Sequence, residues 1–296
     1  MHFLFDKHHS SSYLNILRPL IILAWLLVFS GCFSVFIIPA ASRAAQAGYD
    51  TSATAASAGA SNAYPVSFLN DRAGDITGAA ALNAPQYVTP AGLTGAGQIV
   101  AVADSGLDAG VTDDIHPDLQ SAPGQMPKVV LLKSWADREV PDDPDGHGTH
   151  MAATIAGTGA ASDGKFHGIA PGASIYFQAI LNNDGDPELP ADLAELFYPA
   201  YSAGARIHVD GWGGGPDSYT GAASQVDNFV RSYPDFLAIF GAGNSGPLKS
   251  SITGEANSKN ALAVGASNLP RPAFAPGEQD TAAAVEFSSR GPSGDG

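Results

Sequence analysis

Three short stretches of this chain carry side chains suited to acid–base and hydrogen-bonding chemistry. The first is Val100-Ala101-Val102-Ala103-Asp104-Ser105-Gly106-Leu107-Asp108, an apolar run ending in an acid. A carboxylate at the end of a buried strand needs either partners or a task. Gly106 permits a tight turn directly after it. The second is Asp145-Gly146-His147-Gly148-Thr149-His150-Met151-Ala152-Ala153-Thr154-Ile155-Ala156-Gly157. Here an imidazole stands at the mouth of a small-residue helix, with Gly146 and Gly148 leaving it accessible. Small residues along that helix let it pack close to a sheet. His150, three residues on, reads as a helix residue bonded to a nearby acceptor or as half of a metal pair. No H-E-x-x-H pattern supports the metal reading. The third is Ile239-Phe240-Gly241-Ala242-Gly243-Asn244-Ser245-Gly246-Pro247. The Asn244 amide can donate to a developing oxyanion, or the residue can simply turn the chain in a left-handed conformation.

In the order Asp, His, Asn these stretches resemble the subtilisin-like serine proteases, the subtilases of peptidase family S8. Asp104 falls on the family's aspartate motif, His147 on the first His of H-G-T-H, and Asn244 on the oxyanion asparagine of A/G-x-G-N. Gly92-Leu93-Thr94-Gly95, His116-Pro117-Asp118-Leu119, Gly168-Ile169-Ala170-Pro171-Gly172-Ala173 and Phe287-Ser288-Ser289-Arg290-Gly291-Pro292 also look like family segments. The likeness spans residues 92–296, and its Asp-then-His order is that of subtilisin. It implies that Asp104 orients His147, that His147 moves the proton of a serine hydroxyl, and that Asn244 steadies the tetrahedral oxyanion. In subtilisin, losing that donor costs about 10²–10³ in turnover. The resemblance also implies that the backbones of Trp212, Gly213 and Gly214, and of Gly241, Ala242 and Gly243, line the substrate cleft. Catalysis then needs no cofactor, and the partners are protein or peptide substrates.

The chain departs from the family in three places. Ala153 stands where the family often has Gly, and Gly211 where a Ser usually precedes Trp-Gly. The family nucleophile lies in G-T-S-M-A, and no G-T-S occurs here. Ser245, Ser288, Ser289 and Ser293 read as structural. The expectation is a protease whose nucleophile lies beyond Gly296, the residues as written being inactive. The alternative is a non-catalytic peptide-binding protein on the same scaffold, and a third reading is a Ca²⁺-stabilised adhesion module.

These motifs need a frame. Apolar, β-rich runs at Gln98–Ala103, Lys128–Ser134, Ser174–Ile180, Arg206–Val209, Phe236–Phe240 and Ala261–Val264 predict strands. Helical stretches are expected at Gly148–Gly157, Ala191–Ala203 and Tyr219–Ser232. Strands that are apolar throughout are buried on both faces, and their alternation with helices predicts an α/β fold with a doubly wound, mostly parallel sheet. Active residues then sit at strand C-terminal ends.

The 296 residues carry 14 basic and 29 acidic side chains, a net charge of −15, which argues against a nucleic-acid surface. The acids comprise 23 Asp and 6 Glu. Asp suits turns and caps, and Asp-rich loops also admit structural Ca²⁺. The single Cys32 allows no internal disulfide. Leu20–Ala41 is an apolar stretch of 22 residues behind a mildly basic start, with Ala45-Gln46-Ala47 downstream. It reads as a signal peptide or an uncleaved membrane anchor over residues 1–47, and so as export. Membrane contact is expected only through this segment. Cys32 also invites a lipoprotein reading, which the apolar residues after it oppose. Residues 48–91 read as a linker or short pro-segment, and 92–296 as the catalytic domain.

Overall fold

The six predicted strands form one parallel sheet. A computed structural model describes residues 36–38, 73–84, 92–136, 138–268 and 283–294. Cys32, the rest of the apolar stretch outside 36–38, and residues 48–72 lie outside these. Strands β2 (Ile99–Asp104), β3 (Val129–Ser134), β4 (Ser174–Ala179), β5 (Ile207–Asp210), β7 (Leu237–Gly241) and β8 (Leu262–Val264) lie in the order β3-β4-β2-β5-β7-β8, all parallel. Each lies within one residue of its predicted bounds at either end.

Both faces of the sheet are covered, so these strands show no polar alternation. On one face Val100 and Val102 pack with Ile175, Phe177, Val209 and Ile239 beneath helix α3 (His147–Ala156), through its Met151, Ala152 and Ile155. On the other face Ala103, Ala238 and Phe240 pack with Leu196 and Phe197 of α4 (Ala194–Ser202) and Val226 and Phe229 of α5 (Gly221–Ser232). Period-two alternation thus sends successive residues of β2 to opposite layers. The fold is a doubly wound α/β sheet. Two short helices, α1 (Ala73–Thr77) and α2 (Ala79–Asn83), fall in the stretch read as linker. Ala79 joins the core beside α3, and Asn83 Nδ2 donates to Ile169 O at 3.1 Å.

A seventh segment, β6 (Trp212–Gly214), follows β5 after the single residue Gly211. It pairs in parallel with β1 (Phe36–Ile38), Phe36 opposite Trp212. No helix among the described residues is long and apolar enough to cross a membrane.

One cation is built into the interior. Lys128, just before β3, donates from Nζ to the carbonyls of Ala156 at 3.0 Å, Pro171 at 2.6 Å and Ala173 at 2.9 Å. It ties the end of α3 to the turn entering β4. Burial draws its pKa down from 10.5 to about 8. The folded protein therefore binds fewer protons than the unfolded chain between about pH 8 and 10.5. This group's contribution to stability is complete above that window and lost as pH falls through the folded value. Urea unfolding of wild type and Lys128→Met across pH 7–11 checks this. The stability difference should move in favour of the wild type between about pH 8 and 10.5. An unchanging difference would contradict it.

Candidate active site

Asp104 closes β2 with its carboxylate 2% exposed. Its Oδ1 lies 2.7 Å from His147 Nδ1 and accepts the Ser105 backbone N–H, also at 2.7 Å. An ionised carboxylate only accepts, so the contact places the imidazole proton on Nδ1 and leaves Nε2 as the basic nitrogen.

The first turn of α3 is clamped to the end of β2. Ser105 Oγ accepts the Gly148 N–H at 2.7 Å and donates to Asp143 Oδ1 at 2.7 Å. Asp143 Oδ2 accepts both the N–H and the hydroxyl of Thr149, at 2.8 and 2.6 Å. A carboxylate at a helix N-terminus satisfies free N–H groups and complements the helix dipole. Thr149 Oγ1 in turn accepts the Asp108 N–H at 2.8 Å. His147 is thus positioned by short-range bonds on both sides of the β2 turn. The reason for Gly148 differs from imidazole access: a Cβ there would stand 2.3 Å from Gly106 O. The glycine lets the helix backbone touch the strand-end backbone.

Beside Asp104 lies a buried polar chain that the sequence reading did not single out. Trp135 Nε1 donates to Gln178 Oε1 at 2.7 Å, and Gln178 Nε2 stands 3.1 Å from His208 Nε2. His208 Nδ1 then stands 3.0 Å from Asp210 Oδ2, both side chains fully buried. Burial pushes the Asp210 carboxyl up and the His208 charge opposes this, while the charge of Asp104 pushes it further up. Polar residues inside a strand read as apolar, as His208 was, are the signal that could have found it. Gly211 follows directly, and a Cβ there would stand 2.5 Å from Asp104 Oδ2 and 3.0 Å from His147 Cε1. A serine at this position would press on the dyad.

Strand register aligns Ala103 with Asp210 and Asp210 with Phe240. Asp104, Gly211 and Gly241 therefore leave the sheet at one level, at its C-terminal edge. Asn244 follows three residues after β7. Its φ is not positive, so it is not held there for a left-handed turn. Its loop is fastened by Ser289 N–H to Gly243 O at 2.9 Å, Ser245 N–H to Ser289 Oγ at 3.1 Å and Gly246 N–H to Phe287 O at 2.8 Å. Ser288 Oγ accepts the Ala266 N–H at 3.0 Å. Ser288 and Ser289 thus act as backbone partners.

The two expected cleft walls are bridged by a third segment. Thr253 N–H donates to Ala242 O at 3.1 Å, Gly254 N–H donates to Gly214 O at 2.8 Å, and Gly214 N–H donates to Glu255 Oε2 at 2.9 Å. The Trp212 ring does not line a cleft. It is buried, edge-on to Phe240 at 5.5 Å. Burial and the charge of His147 lower the His150 pKa. Among the described residues no group of three or more His, Cys, Asp or Glu is arranged to hold a metal.

The model of the Subtilase family matches residues 95–296. The chain is 36% identical over 186 residues to the serine protease/ABC transporter B family protein tagB of Dictyostelium discoideum, covering 59% of this chain and 10% of that one. It is 32% identical over 211 residues to the serine protease AprX of Bacillus subtilis (strain 168), covering 68% and 44%. It therefore spans less than half the length of either. Among solved structures, one titled S41 Psychrophilic Protease aligns at a TM-score of 0.49 and 28% identity, over 67% of this chain and 60% of that one.

Proposed function

The chain belongs to the subtilase family, and on that premise we propose that it is a serine endopeptidase whose general base is His147, oriented by Asp104. The observation that supports this most is the 2.7 Å contact between His147 Nδ1 and Asp104 Oδ1 at the C-terminal edge of a parallel sheet. His147 Nε2 takes the proton of a serine hydroxyl as its oxygen attacks the peptide carbonyl. The negative Asp104 stabilises the imidazolium, which then gives the proton to the leaving amine. Asn244 donates to the tetrahedral oxyanion. Water releases the acyl group by the reverse sequence. No metal or cofactor enters these steps, and any bound Ca²⁺ would be structural. The serine is read as lying outside the 296 residues, because no G-T-S sequence occurs within them.

The edge of β6 supports peptide recognition. In the structure Phe36–Ile38, part of the apolar stretch Leu20–Ala41, pairs with it strand to strand; added strands are bound by main-chain hydrogen bonds, and removal of the leader would leave this edge open to a peptide. The apolar stretch Leu20–Ala41 supports export, with the hydrolytic domain outside the cell, released or anchored.

A fluorophosphonate probe tests the reading on the full-length protein, with the modified peptide located by mass spectrometry. Labelling of one serine, lost in His147→Ala, is expected. Labelling or hydrolysis that survives His147→Ala overturns it. Peptide binding without any labelling would replace it by the binding-only alternative.

A further inference from the structure

The buried line from Trp135 to Asp210 crosses the sheet over its central strand. Gln178 of β4 and Asp210 of β5 both stand beside Ala103 of β2, and His208 stands beside Ala101. Strands β4 and β5 are not neighbours, because β2 lies between them. Their side chains meet across β2 because Ala101 and Ala103, both fully buried, are short. Phe197 of α4 closes the line from the helix side, edge-on to the His208 ring at 4.9 Å.

The line runs one way. An indole N–H can only donate, so Gln178 Oε1 is fixed as its acceptor at 2.7 Å and the amide nitrogen of Gln178 faces His208. His208 Nε2 receives that hydrogen while the ring is uncharged. The ring proton then sits on Nδ1, 3.0 Å from Asp210 Oδ2. Polar groups taken out of water cost least where they satisfy one another, and such a line holds each member in one orientation. Its far end reaches the dyad. Gly211 is the next residue after Asp210, and a Cβ on it would stand 2.5 Å from Asp104 Oδ2 and 3.0 Å from His147 Cε1. The chain after Asp210 therefore lies against both members of the pair. The charge of Asp104 is also felt at the Asp210 carboxyl, which it pushes up.

Resting on the protease reading, we propose that Asp210 is a positioning residue for the His147–Asp104 pair, held in place by the one-way hydrogen-bond line that starts at Trp135. It acts through Gly211 and Asp104 rather than on the substrate. Gln178 and Trp135 act at one and two steps further back, by fixing which nitrogen of His208 carries the proton. Breaking the line frees His208, then Asp210, and lets Gly211 drift from the pair. A drift of about 1 Å at a dyad is enough to cost 10²-fold in rate.

The first readout needs no turnover. In ¹H NMR of the full-length protein, the proton shared by His147 Nδ1 and Asp104 gives a far-downfield signal. Asp210→Leu removes the acceptor of His208 at nearly constant shape, and Gln178→Leu cuts the line one step before His208. Both should move or broaden that signal. The kcat of peptide hydrolysis should fall about 10²-fold in Asp210→Leu and about tenfold in Gln178→Leu, with KM within about twofold. Asp210→Asn still accepts from His208 through its amide oxygen, so it should recover most of the loss in signal and rate. The double variant Gln178→Leu/Asp210→Leu should be no slower than Asp210→Leu alone, as for two members of one line. Trp135→Phe removes a single N–H and keeps a ring; it replaces any variant that circular dichroism shows unfolded, and it too should broaden the signal. A signal unmoved in folded variants overturns the proposal, whatever their Tm, as does its absence from the wild type. Losses that simply multiply in the double variant, or Asp210→Asn as impaired as Asp210→Leu, overturn it too. If the variants move the signal but the wild type cleaves no peptide, the positioning role stands and the protease reading alone falls.

Discussion

On the protease reading, Asp104→Ala in the full-length protein is expected to lower kcat of peptide hydrolysis about 10⁴-fold with little change in KM. That corresponds to about 5 kcal/mol of transition-state stabilisation. Two effects are lost together. The imidazole loses the acceptor that keeps its proton on Nδ1, and the imidazolium loses its counter-charge. Asp104→Asn separates them. The Ser105 N–H on Oδ1 selects the amide oxygen for that position, since an amide nitrogen there would face another donor. The amide oxygen then still accepts from His147 Nδ1, and the amide nitrogen faces Gly211. Orientation survives in that variant while the charge does not, so its activity should lie between wild type and Asp104→Ala. Steady-state kinetics of the three proteins, with circular dichroism to confirm folding, decide the matter. A loss below tenfold in Asp104→Ala would mean that His147 is not the base.

Gly148→Ala carries the largest expected structural cost. The added Cβ would stand 2.3 Å from Gly106 O, 2.9 Å from Gly106 N and 2.9 Å from Phe177 Cζ. The backbone it meets cannot retreat. A Cβ on Gly106 would itself stand 2.0 Å from Asp142 O, so that segment is pressed from behind as well. Overpacking of this kind costs about 3 kcal/mol. For a domain of this size that lowers Tm by roughly 6–12 °C. Moving the first turn of α3 also breaks the Gly148 bond to Ser105 and shifts the imbalance onto His147. A misplacement of about 1 Å is enough for a 10²-fold loss in rate. Gly146→Ala is the internal comparison. Its Cβ meets nothing within 4 Å, and only its left-handed φ of 88° opposes the change. It should cost about 1–2 kcal/mol. Thermal unfolding of the two variants side by side tests the difference, and equal Tm values would contradict it.

The parallel sheet was legible because its strands are predominantly apolar on both faces. Asp104 and His147 were legible because their motifs combine residue type, spacing and order. Other features leave weaker traces. The three residues of β6 include two glycines, and such a segment has neither period nor apolar run. The small helices at 73–83 are too short for a 3.6-residue pattern to emerge. The buried line from Trp135 to Asp210 joins two strands, β4 and β5, and the turn after β3, so its members are scattered along the sequence. Gly148 was visible, but its purpose was not, because the atoms it must avoid belong to a loop 42 positions earlier (148 − 106). Glu255 likewise gains its place only from bonds to segments that precede it.

The all-parallel register has a consequence for how the molecule comes into being. No two neighbouring strands can be joined by a tight hairpin, so every pairing closes a long loop before it gains contacts. Such topologies fold slowly compared with those dominated by local contacts. Asp104 and His147, 43 residues apart, meet only when β2 is seated in the sheet and α3 has docked on it. A partly formed chain therefore exposes cleavable segments without yet possessing an assembled dyad. On the protease reading proposed above, the order of assembly is itself a safeguard: maturation of the fold precedes the power to cut, and newly made copies are protected from one another for as long as they remain incomplete.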